Sequence, residues 1–555
     1  MASRGSTVPP RPARGGGLRI IDSEERILES YADYLMDESR FGSASSDRLA
    51  FASDEAGVAA VLQEASSSGR QVTVSAGRTG IVGGAVPRRG TLLSLAGMDR
   101  ILGLRRLPEG GYALRAEPGI SIADLAHRLA RRDLGVDPAD LTRDEAEAIE
   151  AFASGEDGWF YPPDPTEETA HLGATVATNA SGARSCLYGA TRRHVLGLRV
   201  CLASGEVLAV TRGEVTASGG AFEIETAQGG IVRVPVPRYE MPDVKNAAGY
   251  YAAPGMDLVD LLIGSEGTLG VVTEIEVALS RRPEGILSAL AFFGSEDDAI
   301  AFVRRARGDL PGENAPADVR PMALEFFDST SFDFLRERKE EQGASSGIPA
   351  LPEAARAGVI FEQGYGDEDE LLAAYEGWES LLSEHGSSME DTWGGMEAGD
   401  VARLRDLRHS LPEEVNNTIA RAKADCPEIH KVSTDIAVPH EAFPRMFETY
   451  RAGLAGTGLR SVIFGHIGDS HLHLNILPRD AEELERAEEI ALGFARAGVQ
   501  LGGTVSAEHG IGKLKHEFLK ILYGEEGLRE MAAVKRALDP SGVLNRGVLF
   551  PEHML

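Results

Sequence analysis

SAGRTGIVGG, Ser75 to Gly84, is the stretch on which the fold turns. It follows a run in which Val72 and Val74 alternate with polar residues, the pattern of a half-buried strand. The strand therefore enters a glycine-rich turn. Glycines at such positions let the backbone approach an anion and aim N–H groups at it, forming a nest for phosphates. The spacing is not G-x-G-x-x-G and no helical pattern follows directly, which disfavours a Rossmann dinucleotide site. It also lacks the G-K-[ST] ending of a P-loop. Standing alone, the stretch reads equally well as a glycine-rich surface turn.

Upstream, Asp22-Ser23-Glu24-Glu25 resembles a capping box, with Ile27, Leu28, Tyr31 and Leu35 following at helical spacing. Val58, Val61, Leu62 and Ala65 predict a second helix ending near Gly69. Downstream, three more segments are rich in small residues: Tyr161-Pro162-Pro163-Asp164-Pro165, HLGATVATNASGARSCLYGATRRHVLGL (171–198) and LLIGSEGTLGVVTEIEV (261–277). Gly, Ala, Ser and Thr recur where a flat, extended cofactor needs close backbone approach and hydroxyl donors. Residues 131–158 are acidic and weakly patterned and read as a surface insertion.

Short β-type runs dominate from about 195 to 280, and strands alternating with longer helices, such as Glu368 to Glu384, follow from about 285. That shift predicts a first domain over 22–283 and a second over 284–535. Residues 536–555, with Asp539-Pro540-Ser541-Gly542, are expected to return to the first domain. Residues 1–21 carry Arg4, Arg11, Arg14 and Arg19 without an apolar stretch behind them, so a disordered tail is expected rather than a secretory signal.

A chain of 555 residues exceeds the size at which one core keeps growing, in keeping with two or three domains. Apolar residues make up 43% and charged residues 26%, ordinary values for a globular protein. No run of about 18 apolar residues predicts a membrane span. The formal charge of −30 argues against a nucleic-acid partner, which needs a basic surface. Three scattered cysteines, Cys186, Cys201 and Cys426, are too few for an iron–sulfur cluster or a disulfide framework. A reducing, cytoplasmic setting is the expectation.

Three of the 13 histidines lie in GHIGDSHLHLN, Gly465 to Asn475. If Ser470 to Leu477 is a strand, its two-residue period puts His471, His473 and Asn475 on one face, with His466 just before the turn at Gly468 and Asp469. Imidazoles on one face, joined by a carboxylate from elsewhere, suit zinc, manganese or iron. A polar strand face with ordinary hydrogen bonds is the competing reading at this point.

The ordered set of segments resembles the FAD-linked oxidoreductases of the vanillyl-alcohol-oxidase type. Within them it is similar to the branch holding D-lactate dehydrogenase, D-2-hydroxyglutarate dehydrogenase and the large glycolate oxidase subunit. The likeness runs from about Asp37-Glu38-Ser39 to Phe550. It implies an α+β fold: a PCMH-type FAD-binding domain of two subdomains, then an α+β cap domain with an antiparallel sheet. By matching position, Gly77, Arg78, Thr79, Gly80, Gly83 and Gly84 would hold the pyrophosphate of FAD. Pro163, Asp164, Gly173, Ala174, Thr178, Asn179, Ser181, Gly182, Tyr188 and Gly189 would line the flavin. Glu266, Gly267 and Val272 would contact the adenine and ribitol side, and Asn545 would close the site. Relatives often carry glycine at the position of Arg78. The loop has no histidine of the sort used for covalent attachment, so non-covalent FAD is expected.

The same resemblance gives the histidine stretch a pattern, G-H-x-G-D-x-N-x-H, in which His466 and His473 take the two metal-ligand positions. Glu508, in Ser506-Ala507-Glu508-His509-Gly510, matches the third. His471 departs from it, most relatives carrying asparagine there; it reads as a rim residue or as a change to the metal's shell. Oxidising a 2-hydroxy acid requires loss of the hydroxyl proton and transfer of hydride from C2 to flavin N5. A chelating divalent ion lowers the hydroxyl pKa, and a neutral imidazole beside it takes the proton. His509 is the candidate base, with a hydrogen bond that merely orients the metal site as its alternative.

Arg408 resembles the arginine of the D-lactate dehydrogenase cap and would bind the substrate carboxylate bidentately. Ser433-Thr434-Asp435-Ile436-Ala437-Val438-Pro439 is closer to the S-T-D-V-x-V-P strand of the D-lactate group than to the K-Y-D-x-S-x-P of the hydroxyglutarate group, which favours a small or medium 2-hydroxy acid. A redox-neutral transferase resembling alkylglycerone-phosphate synthase is the second reading. Against it, that group has a histidine run near the position of SAEHG, where this chain has His509 alone. A non-catalytic flavin-binding subunit is the third. With no iron–sulfur motif, electrons must leave to a separate acceptor: electron-transfer flavoprotein, quinone or cytochrome. A homodimer is expected from the habit of relatives.

Overall fold

The computed structural model describes residues 17–42, 44–309 and 314–555. Most of the expected N-terminal tail lies outside these residues, but its end does not behave as a tail. Leu18–Ile21 forms a strand paired antiparallel with Arg48–Ala52. Its exposure does not alternate, Leu18 and Arg19 being half-buried, Ile20 exposed and Ile21 buried, so no strand period showed in the sequence.

That strand edges a four-stranded sheet in the order Leu18–Ile21, Arg48–Ala52, Thr91–Ser94, Val72–Ser75, the last three running parallel. The Glu55–Ser68 helix makes the crossover. Asp54 caps it by accepting from Gly57 N, and it stops where Gly69 takes φ 72°, which favours glycine. Val58, Val61, Leu62 and Ala65 form its buried face.

A second sheet of five antiparallel strands follows in the order Ile101–Arg106, Tyr112–Ala116, Val271–Ala278, Val195–Cys201, Val207–Thr211. Along its central strand buried and half-buried residues alternate strictly. The outward Glu274 and Glu276 pair with Arg115 and Arg105 of neighbouring strands, at 3.1 and 2.7 Å. The segment read as a weakly patterned insertion contains the Arg143–Ser154 helix, closed by a capping box between Thr142 and Glu145. Phe152 packs edge-on against Tyr112 at 5.5 Å, and the Glu145 carboxylate meets Arg115 at 2.5 Å. These partners lie on a distant strand, so local pattern could not show them.

The third sheet starts at Gly285. Its eight antiparallel strands include Gly285–Phe293, Ala357–Tyr365, Ala323–Asp328, Arg460–Gly465 and His471–Leu477 in that spatial order. The Glu368–Glu384 helix forms over the residues expected for it. At the C-terminus, Val72 N donates to Val543 O and Asn545 N to Val72 O, both at 2.8 Å, so the last residues extend the first sheet. No helix among the described residues is long and apolar enough to cross a membrane.

Candidate active site

The histidine stretch is a tight reversal between the Arg460–Gly465 and His471–Leu477 strands, with Phe464 and His473 in register. Gly465 adopts φ 124°, and a Cβ added there would lie 2.9 Å from the His473 ring. Only glycine suits that backbone and that approach. Ser470 takes a left-handed φ of 51° to turn the chain. The rings of His466 and His473 end 5.5 Å apart, edge to face.

Glu508 arrives on the loop after the Ala481–Gln500 helix. One of its oxygens, Oε1, is 3.1 Å from Nε2 of both His466 and His473. Its other oxygen accepts from Ser181 Oγ at 3.2 Å and pairs with Lys245 Nζ at 2.9 Å. His466 Nδ1 contacts Glu325 Oε1 at 2.6 Å, which turns Nε2 toward Glu508. A carboxylate behind a histidine in this way is the usual support of a metal ligand. Donor atoms of His466, His471, His473 and Glu508 all lie within 4.8 Å of one another. Two imidazoles and a carboxylate oxygen converging in a buried pocket fit a zinc- or manganese-type ion.

Charge in this cluster is divided unevenly. Burial disfavours a charged His466, but the Glu325 and Glu508 carboxylates outweigh it and raise that imidazole to about 10. Burial lowers His471 and His473. Burial opposes ionisation of Glu508 too, and His466 and Lys245 overcome it, holding the carboxyl well below the ordinary range.

His509 stacks on His473 with ring centroids 5.1 Å apart. Behind it Asp435 acts as a hub. The fully buried carboxylate accepts from the backbone N–H of Glu508 and His509 at 3.3 and 3.1 Å, from Ser506 Oγ at 2.6 Å and from Lys515 Nζ at 2.9 Å. It faces His509 Nδ1 at 3.3 Å. Burial raises a carboxyl, yet His509 and Lys515 keep Asp435 well below its ordinary value.

Arg408 projects from the Ala398–Ala422 helix, 4.0 Å from Glu325 Oε2. It lines a cavity of about 730 Å³ together with Pro163, Asp164, Arg184, Glu325 and Glu362. The lining reaches Glu325 and stops short of His473 and His509, so Glu325 is the link between cavity and histidine cluster. Arg184 spans the two halves, donating to Glu362 Oε2 at 2.8 Å.

The residues expected around FAD divide into two groups. Gly77, Thr79, Gly80, Gly83 and Gly84 form a cradle that is open at Gly80 and Gly84, while a Cβ at Gly77 would meet Thr169 O at 3.0 Å and one at Gly83 the Phe41 ring at 3.1 Å. Among the described residues, no backbone N–H from Gly77 to Gly84 donates to a protein acceptor. Buried polar atoms without partners sit at Ser75 Oγ, Tyr161 Oη and His171 Nδ1. His171 also touches the Gly77 position. This arrangement fits an anionic, extended cofactor. Arg78 takes φ 61°, a backbone region that favours glycine, and its guanidinium lies over the Tyr34 ring at 4.3 Å. Gly173, Ala174 and Thr178 belong to the Leu172–Thr178 helix, Tyr188 and Gly189 end the next short helix, and Val272 is half-buried on the central strand.

The second group is engaged by protein. The Asn179 amide accepts from Arg192 N and donates to Asn246 O. Ser181 holds Glu508, and Gly182 leaves room for the Asp164 backbone, 2.0 Å from where a Cβ would stand. Glu266, at φ 50°, accepts from Ile511 N and Gly512 N at 2.8 Å each. Asn545 accepts from Val74 N and donates to Glu266 O, filling the space beside Gly267. Ser181 and Glu266 thereby couple the first domain to the loop that carries Glu508 and His509.

Lys245, Glu325 and Asp435 were not anticipated. Asp435 stood in a quoted motif, but the partners of all three come from distant segments.

An α+β scaffold with a glycine cradle in one half and a histidine–carboxylate cluster in the other defines a flavin-dependent oxidoreductase. The chain belongs to the FAD-linked oxidases: residues 46–145 and 148–211 match the FAD binding domain, and 282–549 match the C-terminal domain of FAD linked oxidases. It is 29% identical over 418 residues to glycolate oxidase subunit GlcD of Bacillus subtilis, covering 75% of this chain and 74% of that one. Against D-lactate dehydrogenase of Anaerostipes hadrus it is 28% identical over 545 residues, 94% of each. Among solved structures, 4-ethylphenol oxidase from Gulosibacter chungangensis in complex with isoeugenol shares the fold: TM-score 0.61, 18% identity, 97% of this chain and 95% of that one. So does an alkyldihydroxyacetonephosphate synthase, with TM-score 0.59 and 14% identity over 95% and 81%. The PCMH-type architecture follows from these.

Proposed function

We propose that the protein oxidises a D-2-hydroxy acid of small or medium size, D-lactate-like, to the 2-oxo acid. The observation that carries this is Glu508 Oε1 at 3.1 Å from both His466 Nε2 and His473 Nε2, with Glu325 joining that cluster to Arg408. The relatives named D-lactate dehydrogenase and glycolate oxidase subunit support the substrate class.

Bound FAD would supply the hydride acceptor, and a divalent ion, zinc or manganese, on His466, His473 and Glu508 would lower the pKa of the substrate hydroxyl. His509 accepts that hydroxyl proton. Asp435 holds the His509 ring and stabilises the charge it gains. Arg408 binds the substrate carboxylate and so fixes which hydrogen on C2 faces the flavin. Pro163 and Asp164 wall the flavin side of the cavity. Electrons then leave to a separate acceptor.

Anaerobic mixing of the FAD-loaded protein with D-lactate, glycolate and D-2-hydroxyglutarate tests the reading. D-lactate or a close homologue should bleach the flavin. No bleaching by any 2-hydroxy acid would leave the redox-neutral, synthase-like reading in its place.

A further inference from the structure

The histidine that stands outside the three-ligand set is also the most buried of the cluster. His471 has no exposed surface. Both of its ring nitrogens lack a hydrogen-bond partner. Nε2 lies 3.0 Å from Asp435 Oδ1, but off the line that a ring N–H would need. Leaving both nitrogens of a fully buried imidazole without partners is unfavourable, so the ring calls for a partner. One stands beside it. His471 offers a donor atom within 4.8 Å of those of His466, His473 and Glu508, and its ring is 4.5 Å from His473 and 5.4 Å from His466.

We propose that His471 is a fourth protein donor to the metal, turning a two-imidazole, one-carboxylate set into a nitrogen-rich set that selects zinc over manganese. This rests on the reading of His466, His473 and Glu508 as metal ligands. A carboxylate stands next to each of the two rings: Asp435 Oδ1 is 3.0 Å from His471 Nε2, and Glu325 Oε1 is 2.6 Å from His466 Nδ1. Imidazole suits zinc and the later first-row metals, while manganese prefers oxygen. An asparagine in its place would offer an amide oxygen and relax that preference.

The test uses full-length, FAD-loaded protein stripped of metal. Zinc and manganese affinities are measured by competition with a chromophoric chelator for the wild type and for His471→Asn. The zinc-to-manganese affinity ratio should fall by about tenfold or more in the variant, with flavin absorbance unchanged. Pulsed EPR of the Cu(II)-loaded wild type should count three coordinated imidazoles, and that of the variant two. The loss of one on substitution separates His471 from His509. A count of two in the wild type, or an unchanged ratio, overturns the proposal while leaving the three-ligand site standing. Failure of the FAD-loaded wild type to bind zinc or copper at all overturns both. A wild-type count of two overturns the proposal without any variant, so a misfolded His471→Asn does not shield it.

Discussion

Asp435 Oδ2 lies 3.3 Å from His509 Nδ1 and also accepts the His509 backbone N–H at 3.1 Å. One buried carboxylate therefore holds both the ring and the loop of the candidate base. In the proposed reaction Nε2 of that ring, 3.6 Å from Glu508 Oε1, takes the proton, and Asp435 stabilises the imidazolium that results.

Asp435→Asn keeps the volume and removes the charge. The flavin-reduction rate should fall by about 10²-fold or more, with FAD content unchanged. Stopped-flow reduction under anaerobic conditions measures it, and an unaltered rate would sink the assignment.

Removal of the metal should abolish most turnover and leave the flavin in place, because the glycine cradle and the histidine cluster are separate parts of the structure. Chelation followed by metal analysis should show activity tracking metal content. His473→Ala should reproduce the chelated state, and zinc should not rescue it. Activity indifferent to chelation removes the metal from the mechanism.

Arg408 is 16% exposed, close to Glu325 and on the cavity wall. Lysine would keep the charge and lose the bidentate fork. Arg408→Lys should lower kcat/KM for D-lactate by about tenfold, mostly through KM, and Arg408→Ala by roughly 10- to 100-fold. Equal kinetics for the lysine variant would place the substrate carboxylate elsewhere.

Glu266 grips the Ile511 and Gly512 amides, and burial raises its carboxyl to about 7, against the pull of those two N–H groups. Raised above the unfolded value of about 4.3, it favours the fold most at low pH. That contribution is lost as pH rises through about 7. Wild-type stability should therefore decline from pH 5 to 7.5 relative to Glu266→Gln, by up to roughly 3 kcal/mol. Urea titrations at several pH values give the comparison, and parallel pH profiles would refute it.

Much of the candidate site could be read along the chain. His466 and His473 belong to one hairpin, so strand periodicity and the turn at Gly468 nearly sufficed to put them together. Glu508 needed the family pattern, because nothing local ties residue 508 to residue 466. Lys245, Glu325 and Asp435 had no local signal; each is a buried charge whose partner is far along the chain. The small-residue segments were legible as a cofactor scaffold. Which of their side chains face a cofactor was not. Ser181 and Glu266 carry the composition of a flavin lining and also hydrogen-bond to the loop that carries Glu508, Ile511 and Gly512, a contact no local pattern announces.

The sequence by itself determined the strand-and-glycine turn at Ser75 to Gly84, the change of pattern near residue 285, and the residue types able to bind a metal. Each depends on neighbours a few positions away, where backbone period and side-chain chemistry are sufficient. The tertiary structure decided that Leu18–Ile21 is a strand, that Arg78 lies over Tyr34, and that Asp435 stands behind both His471 and His509. Those outcomes depend on burial and on distant partners, and burial is a property that a segment acquires only when the rest of the chain folds over it.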